Sequence, residues 1–228
     1  MVDTLMQGMV PVADNVFSPG TAEYEATQGS AVHYDYDPGR ASRMLEELGF
    51  TRGADGMQRD ASGQLLEPEV RAYAQRDIHQ KTLFPLVDYW KQVGIAATPV
   101  ARTAEQAVDA QEQATFPSFL VLRQTNGLDR LVGLHSSLAR TPERRYQGSN
   151  NGRYQSPELD RLIEGFQRTI PIAERWQIAG QIVRHFDEEL PVLPLFYDAL
   201  PIFVSNRVVN VHPSGDLAWN VHEWDMST

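Results

Sequence analysis

Residues 69–101 constrain the possible folds of this chain more than any other stretch. Val70, Ala72 and Ala74 alternate with Arg71, Tyr73 and Gln75, the period-2 pattern of a strand with one buried face. Asp77 then stands where a helix N-cap belongs, with Gln80 as its capping-box partner. Leu83, Leu86, Val87, Trp90 and Val93 form an apolar stripe at helical spacing, and Gly94 offers the permissive position that ends the helix. Ile95 to Val100 reads as a second strand. A strand, a crossover helix and a strand this close together predict a parallel pair with a right-handed connection. The expected class is α/β. In open α/β sheets, ligands bind outside the carboxyl ends of the strands, so function is sought there.

The flanking sequence extends this plan. Asp37 caps a helix with Pro38 at its first position and Ala41, Met44, Leu45 and Leu48 on its apolar face. Gly56 to Leu66 reads as a hairpin around Asp60-Ala61-Ser62-Gly63. Ala104 to Gln113 reads as a polar surface helix. Phe116 to Leu122 reads as a strand buried on both faces. Residues 123–153 form a long connection with some helix near Leu128 to Leu138. Ser156-Pro157 opens a helix carried by Leu159, Leu162, Ile163 and Phe166. A further helix starts at Pro171, turns Trp176, Ala179, Ile182, Val183 and Phe186 inward, and stops at Pro191. Val192 to Phe196 and Ile202 to Val204 read as short strands. The tail from Asn210 holds Trp219 and Trp224 with little periodicity.

Several function classes are disfavoured by what the chain lacks. A formal charge of -10 leaves no basic surplus for binding a nucleic-acid backbone. No apolar run is long enough to span a bilayer. The absence of cysteine removes disulfides, Cys-based metal sites and a Cys nucleophile. No GxGxxG, Walker loop, GxSxG or HExxH motif occurs. His212 and His222 lie near Glu223 and Asp225, but nothing fixes a ligand geometry, and they read as surface histidines. Asp187, Glu188 and Glu189 read as a solvated run or a local pair with Arg184. No catalytic residue, metal ligand or cofactor is assigned.

Arg123-Gln124-Thr125-Asn126-Gly127 follows the strand at 116–122 directly. Arg can grip a carboxylate bidentately, and Gln and Asn both donate and accept. Arg123, Gln124 and Asn126 are therefore candidate ligand contacts, with Asn150 and Tyr154 as possible neighbours. Position alone leaves a polar turn as the equal alternative.

Five pieces in order resemble a known family. They are Tyr36-Asp37-Pro38 with Ala41, Leu45 and Leu48-Gly49-Phe50; Asp55-Gly56 with Asp60-Ala61-Ser62-Gly63; Trp90 to Gly94-Ile95; Asn151-Gly152-Arg153-Tyr154-Gln155-Ser156-Pro157-Glu158-Leu159-Asp160; and Glu174-Arg175 with Glu189-Leu190-Pro191-Val192-Leu193-Pro194-Leu195-Phe196. Together they resemble family 5 solute-binding proteins, the oligopeptide, dipeptide and nickel-type receptors of ABC importers. The resemblance implies a periplasmic-binding-protein-like second lobe with a central mixed sheet flanked by helices. Residues 1–34 would be an extended N-terminal segment, 35–205 the ligand-binding lobe, and 206–228 a C-terminal tail returning to a first lobe.

It further implies a small-molecule or peptide solute, an ABC permease and a missing N-terminal lobe as partners, with no nucleic acid. It implies an extracytoplasmic location, in the periplasm or as a cell-surface lipoprotein. A signal peptide and lipid-attachment Cys would then belong to an N-terminus upstream of Met1. Peptide-binding members often carry Trp and, three residues later, Asp where this chain has Arg123 and Asn126, so the resemblance leaves room for an anionic or neutral polar ligand. Two rivals stay open. One is an α/β enzyme domain using His135 or the tail His, Asp and Glu groups, marked by a His within hydrogen-bond reach of a carboxylate in a cleft. The other is a self-standing interaction domain, marked by a large apolar patch.

Overall fold

The computed structural model describes residues 1–124, 127–199, 202–212 and 220–227. Two compact units emerge, Met1–Tyr197 and Asp198–Thr228. In chain order the first holds α1 (Val2–Leu5), α2 (Ala22–Thr27), α3 (Pro38–Glu47), β1 (Thr51–Arg52), β2 (Gln58–Arg59), β3 (Glu69–Tyr73) and α4 (Asp77–Gln92). It continues with β4 (Thr98–Arg102), α5 (Ala104–Val108), α6 (Ala110–Thr115), β5 (Phe119–Val121), α7 (Leu128–Val132), α8 (Pro157–Arg168) and α9 (Ile172–Glu189). The second unit carries β6 (Val208–Val209) paired antiparallel with β7 (Asp225–Met226). There Trp224 Nε1 donates to Asn220 Oδ1 at 2.9 Å, while Trp219 lies outside the described residues.

The strand–helix–strand unit forms, but its second strand runs over Thr98–Arg102 rather than Ile95 to Val100, the residues after Gly94 being taken up by the turn. β3 pairs parallel with β4 on one side and with β5 on the other, giving the order β4-β3-β5. All pairing in this sheet is parallel. Val70 and Ala72 on β3 are fully buried and pack with Leu83 and Val87 of α4, Ala97 and Val121. Trp90 is half-buried and meets Phe119 edge-on, with ring centroids 5.0 Å apart. Gly94 ends the helix region at φ +89, and a Cβ there would strike Gln58 and the Gly56 carbonyl. That close approach lets Gln58 N donate to the Gly94 carbonyl at 2.7 Å, tying the β1–β2 hairpin to the turn.

A second core is helical. Leu159, Ile163 and Phe166 of α8 pack with Ala179, Ile182, Val183 and Phe186 of α9, joined by Phe17, Leu131 and Leu134. Trp176 is half-buried at its edge. Ser156 caps α8 by accepting from Leu159 N, with Pro157 at the first helical position. Within residues 1–34, α1 and α2 are helical, Val10 and Phe17 are buried, and Val12 forms a bridge with Phe196.

Several local expectations are corrected. The N-cap of α4 is Arg76, whose backbone is extended, and Asp77 is the first helical residue. The Asp77 carboxylate instead pairs with Lys81 one turn on, at 2.7 Å. β5 is an edge strand, so Phe119 is 44% exposed rather than covered on both faces. The polar helix at 104–113 is broken into α5 and α6, because Asp109 leaves helical geometry to cap α6. α3 forms behind its Asp37 cap but buries no side chain, and Leu48 is 75% exposed. Among the described residues, Val192–Phe196 makes the single bridge to Val12, since Pro194 lacks the N–H a ladder needs, and 202–204 forms no strand.

Candidate functional site

The carboxyl ends of the parallel strands converge on one ledge. β3 ends at Tyr73, β4 at Arg102 and β5 at Val121, with Tyr73 level with Arg102 and Ala72 level with Val121. α4 begins just after β3, which sets His79 of its first turn beside the β5 end. The Arg123 backbone N–H donates to His79 Nε2 at 3.1 Å. An accepting Nε2 puts the proton of a neutral imidazole on Nδ1. The His79 ring lies 5.8 Å from that of Tyr73, and His79 is buried. A buried side chain thus fixes the backbone at Arg123 while the Arg123 side chain stays exposed. Gln124 beside it is half-buried, and Asn126 lies outside the described residues.

Asn150 and Tyr154 sit elsewhere. Asn150 is fully buried; its Nδ2 donates to the carbonyls of Leu134 at 3.1 Å and Tyr154 at 2.7 Å, and its Oδ1 accepts from Tyr154 N at 3.1 Å. Its amide is consumed in stapling the long connection, which removes it as a surface contact. The Tyr154 hydroxyl shares a 2.8 Å hydrogen bond with His185 Nε2 of α9. No described contact joins either residue to Arg123.

One face of the sheet is polar, and the sequence reading missed it. Arg71 of β3 and Arg102 of β4 face α6 and Phe116, while the Tyr73 ring at the strand end lies near both Arg102 and His79 of α4. The Arg71 Nε and Nη2 donate to Glu69 Oε2 at 2.9 and 2.7 Å, and Nη1 to Glu112 Oε1 at 2.8 Å. Arg102 Nη2 bonds the other oxygen of Glu112 and the Gln106 carbonyl. Arg102 is only 1% exposed, and burial pulls its guanidinium below the usual arginine range. Phe116 lies 4.8 Å from the Arg71 guanidinium. The available signal was register: Arg71, Tyr73 and Arg102 share a face only once the strands are paired in parallel.

The rival sites fare differently. His135 borders a cavity of about 370 Å³ with Ser137, Glu164 and Gln167. Its nitrogens lie 3.8 Å from Asp160 and 3.7 Å from Glu164, beyond hydrogen-bond reach. His135 Nδ1 instead accepts from Ser137 N at 3.1 Å as a local cap, and Asp160 Oδ1 is taken by Ser136 N at 2.7 Å. Asp187 is 5% exposed rather than solvated, because its Oδ2 accepts from Val32 N at 2.8 Å. Burial pushes its carboxyl above the usual range. It lines a cavity of about 290 Å³ with Val12, Tyr34, Leu190 and Leu193. Among the described residues, no three His, Cys, Asp or Glu side chains gather as a metal site, and no helix is long and apolar enough to cross a membrane.

Residues 1–142, more than half of the 228, match the model of bacterial extracellular solute-binding proteins, family 5 Middle. The chain belongs to family 5. Among curated relatives of this family 5 chain is the nickel-binding periplasmic protein of Escherichia coli (strain K12), 22% identical over 212 residues, which are 92% of this chain and 39% of that protein. Its fold matches NikZ from Campylobacter jejuni in complex with Ni(L-His), with a TM-score of 0.74 at 20% identity over 98% of this chain and 45% of the other. It also matches the oligopeptide-binding protein of Thermus thermophilus complexed with pentapeptide, with a TM-score of 0.73 at 23% identity over 99% and 40%. The chain spans less than half the length of each.

Proposed function

We propose that this chain is the second, ligand-binding lobe of an extracytoplasmic receptor that delivers a polar solute to an ABC importer. The lobe is non-catalytic; it closes with a first lobe around the solute, and the solute stabilises the closed form by its differential affinity. Family membership supports the class, and coverage of 39–45% of the relatives named above supports a further lobe outside this chain. The observation that carries the site is the ledge at the strand ends. There a buried His79 holds the backbone of Arg123, an exposed residue. Gln124 stands next in the chain, and Asn126 follows it two residues on as a further polar contact for the solute. Tyr154 would act indirectly, by anchoring the long connection to α9.

Peptides and histidine chelates of metals, the ligands in the two related structures, both carry carboxylates. Arg123 suits a carboxylate, and a polar neutral group would find hydrogen bonds at Gln124. The test is calorimetry on the full-length receptor with ligands selected from short peptides, sugars and metal–histidine chelates. Arg123→Ala is expected to weaken the selected solute by roughly 1.5–3 kcal/mol, the worth of a charge-assisted hydrogen bond. Unchanged affinity would remove Arg123 from the site.

A further inference from the structure

The polar face of the sheet holds a guanidinium that the chain satisfies only in part. Arg102 is 1% exposed at the carboxyl end of β4. Glu112 and the Gln106 carbonyl both attach to its Nη2, while Nε and Nη1 are buried with no hydrogen-bond partner. A buried donor without a partner costs stability, so its retention asks for a reason. A guanidinium is a fork made for two oxygens, and Glu112 holds it by one nitrogen only. The second oxygen of Glu112 reaches Arg71, so one side-chain carboxylate bridges two arginines over the Phe116 ring.

What covers this pair is weakly built. α5 and α6 are five and six residues long, too short to be stable alone. The only buried side chain described on α6 is Ala114, and Val108 of α5 is 80% exposed. The cover is held largely by polar contacts: Glu112 to both arginines, Gln106 to Arg102, and Gln113 accepting from Arg140 at 3.0 Å.

We propose that Arg102 and Arg71 form a carboxylate-binding subsite, that Glu112 occupies it as an internal stand-in, and that a small ligand carboxylate displaces Glu112 by swinging α6 outward. The incoming carboxylate engages Arg102 through two nitrogens, recruiting the Nε or Nη1 that Glu112 leaves unused. Tyr73, whose ring lies 5.7 Å from the Arg102 guanidinium, walls the subsite toward the strand-end ledge. The subsite rests on the surroundings of Arg102 alone and stands whether or not Arg123 contacts a solute.

Titration calorimetry of the full-length protein with succinate tests it. Glu112→Gln, which keeps the shape and removes the competing charge, is expected to bind succinate at least tenfold tighter than the parent. Adding Arg102→Lys, which keeps a charge but loses the fork, is expected to abolish that gain. No gain in Glu112→Gln, or a gain that survives Arg102→Lys, would overturn the proposal. Because a buried Arg102→Lys change could unfold the chain, hydrogen exchange in the unmodified protein provides a second reading. Succinate is expected to speed exchange across 110–115, and unchanged exchange at saturating succinate would overturn the displacement of Glu112.

Discussion

The α8–α9 core and the outer face of the β4-β3-β5 sheet solve the same problem with opposite materials. Between the helices, Leu159, Ile163, Ile182 and Val183 exclude water with side chains that need no partners. Over the sheet, a buried Arg102 and the half-buried Arg71 and Glu112 fill the space with charges that must find one another. The first arrangement is stable and inert. The second gains less net stability per group, since desolvating charges offsets much of their attraction. What it keeps is chemistry, at the end of the sheet where an α/β fold presents ligands.

Substitutions can break or sharpen this contrast. The largest effect is expected at Ile182, fully buried in the helical core, where Ile182→Ala should cost about 2–5 kcal/mol through lost burial and a cavity. Urea denaturation measures it, and a cost near zero would mean that this core is loosely packed. Glu112→Ala should cost about 1–3 kcal/mol, because it strips the shared carboxylate from Arg102 and Arg71, and the partial exposure of Glu112 limits the loss. Asn150→Ala should cost about 1–3 kcal/mol by orphaning the carbonyl and N–H groups of the long connection.

A subtler effect is expected at Asp187. Its folded carboxyl is raised, so the proton is held more tightly in the native state than in the unfolded chain. The stability this contributes is complete below the unfolded value of about 3.9 and is lost as pH rises through the raised folded value. Asp187→Asn should remove that decline, so that stability rises more, or falls less, with pH across that window than in the parent, read by denaturation. The smallest change is expected at Arg123, where Arg123→Ala should alter folding stability by no more than about 0.5 kcal/mol, since its side chain is exposed.

The same contrast explains what the sequence made legible. Leu159, Ile163 and Phe166 announce α8 because an apolar stripe at helical spacing has one stable use. Val70 and Ala72 announce β3 by alternation, and Asp37-Pro38 and Ser156-Pro157 mark helix starts through local capping. Arg102 and Glu112 carried no such mark, because a charged residue in a polar stretch looks solvated until register places it opposite a partner. Asp187 misled for the same reason: its partner, Val32 N, is 155 residues away. Arg123 was legible from its place after a strand. His79, which holds its backbone, was not, since that contact spans 44 residues. Asn150 was legible as a polar residue in a functional-looking loop, but its amide turned inward to serve the backbone.

The central claim is that solute meets this lobe at the carboxyl ends of β3 and β5. Hydrogen exchange on the full-length receptor, with and without the solute selected by calorimetry, tests it most directly. Protection is expected in residues 73–80 and 121–124, around Tyr73, His79 and Arg123. Protection confined to the His135 cavity, at 132–138 and 163–168, with the strand ends unchanged, would contradict it.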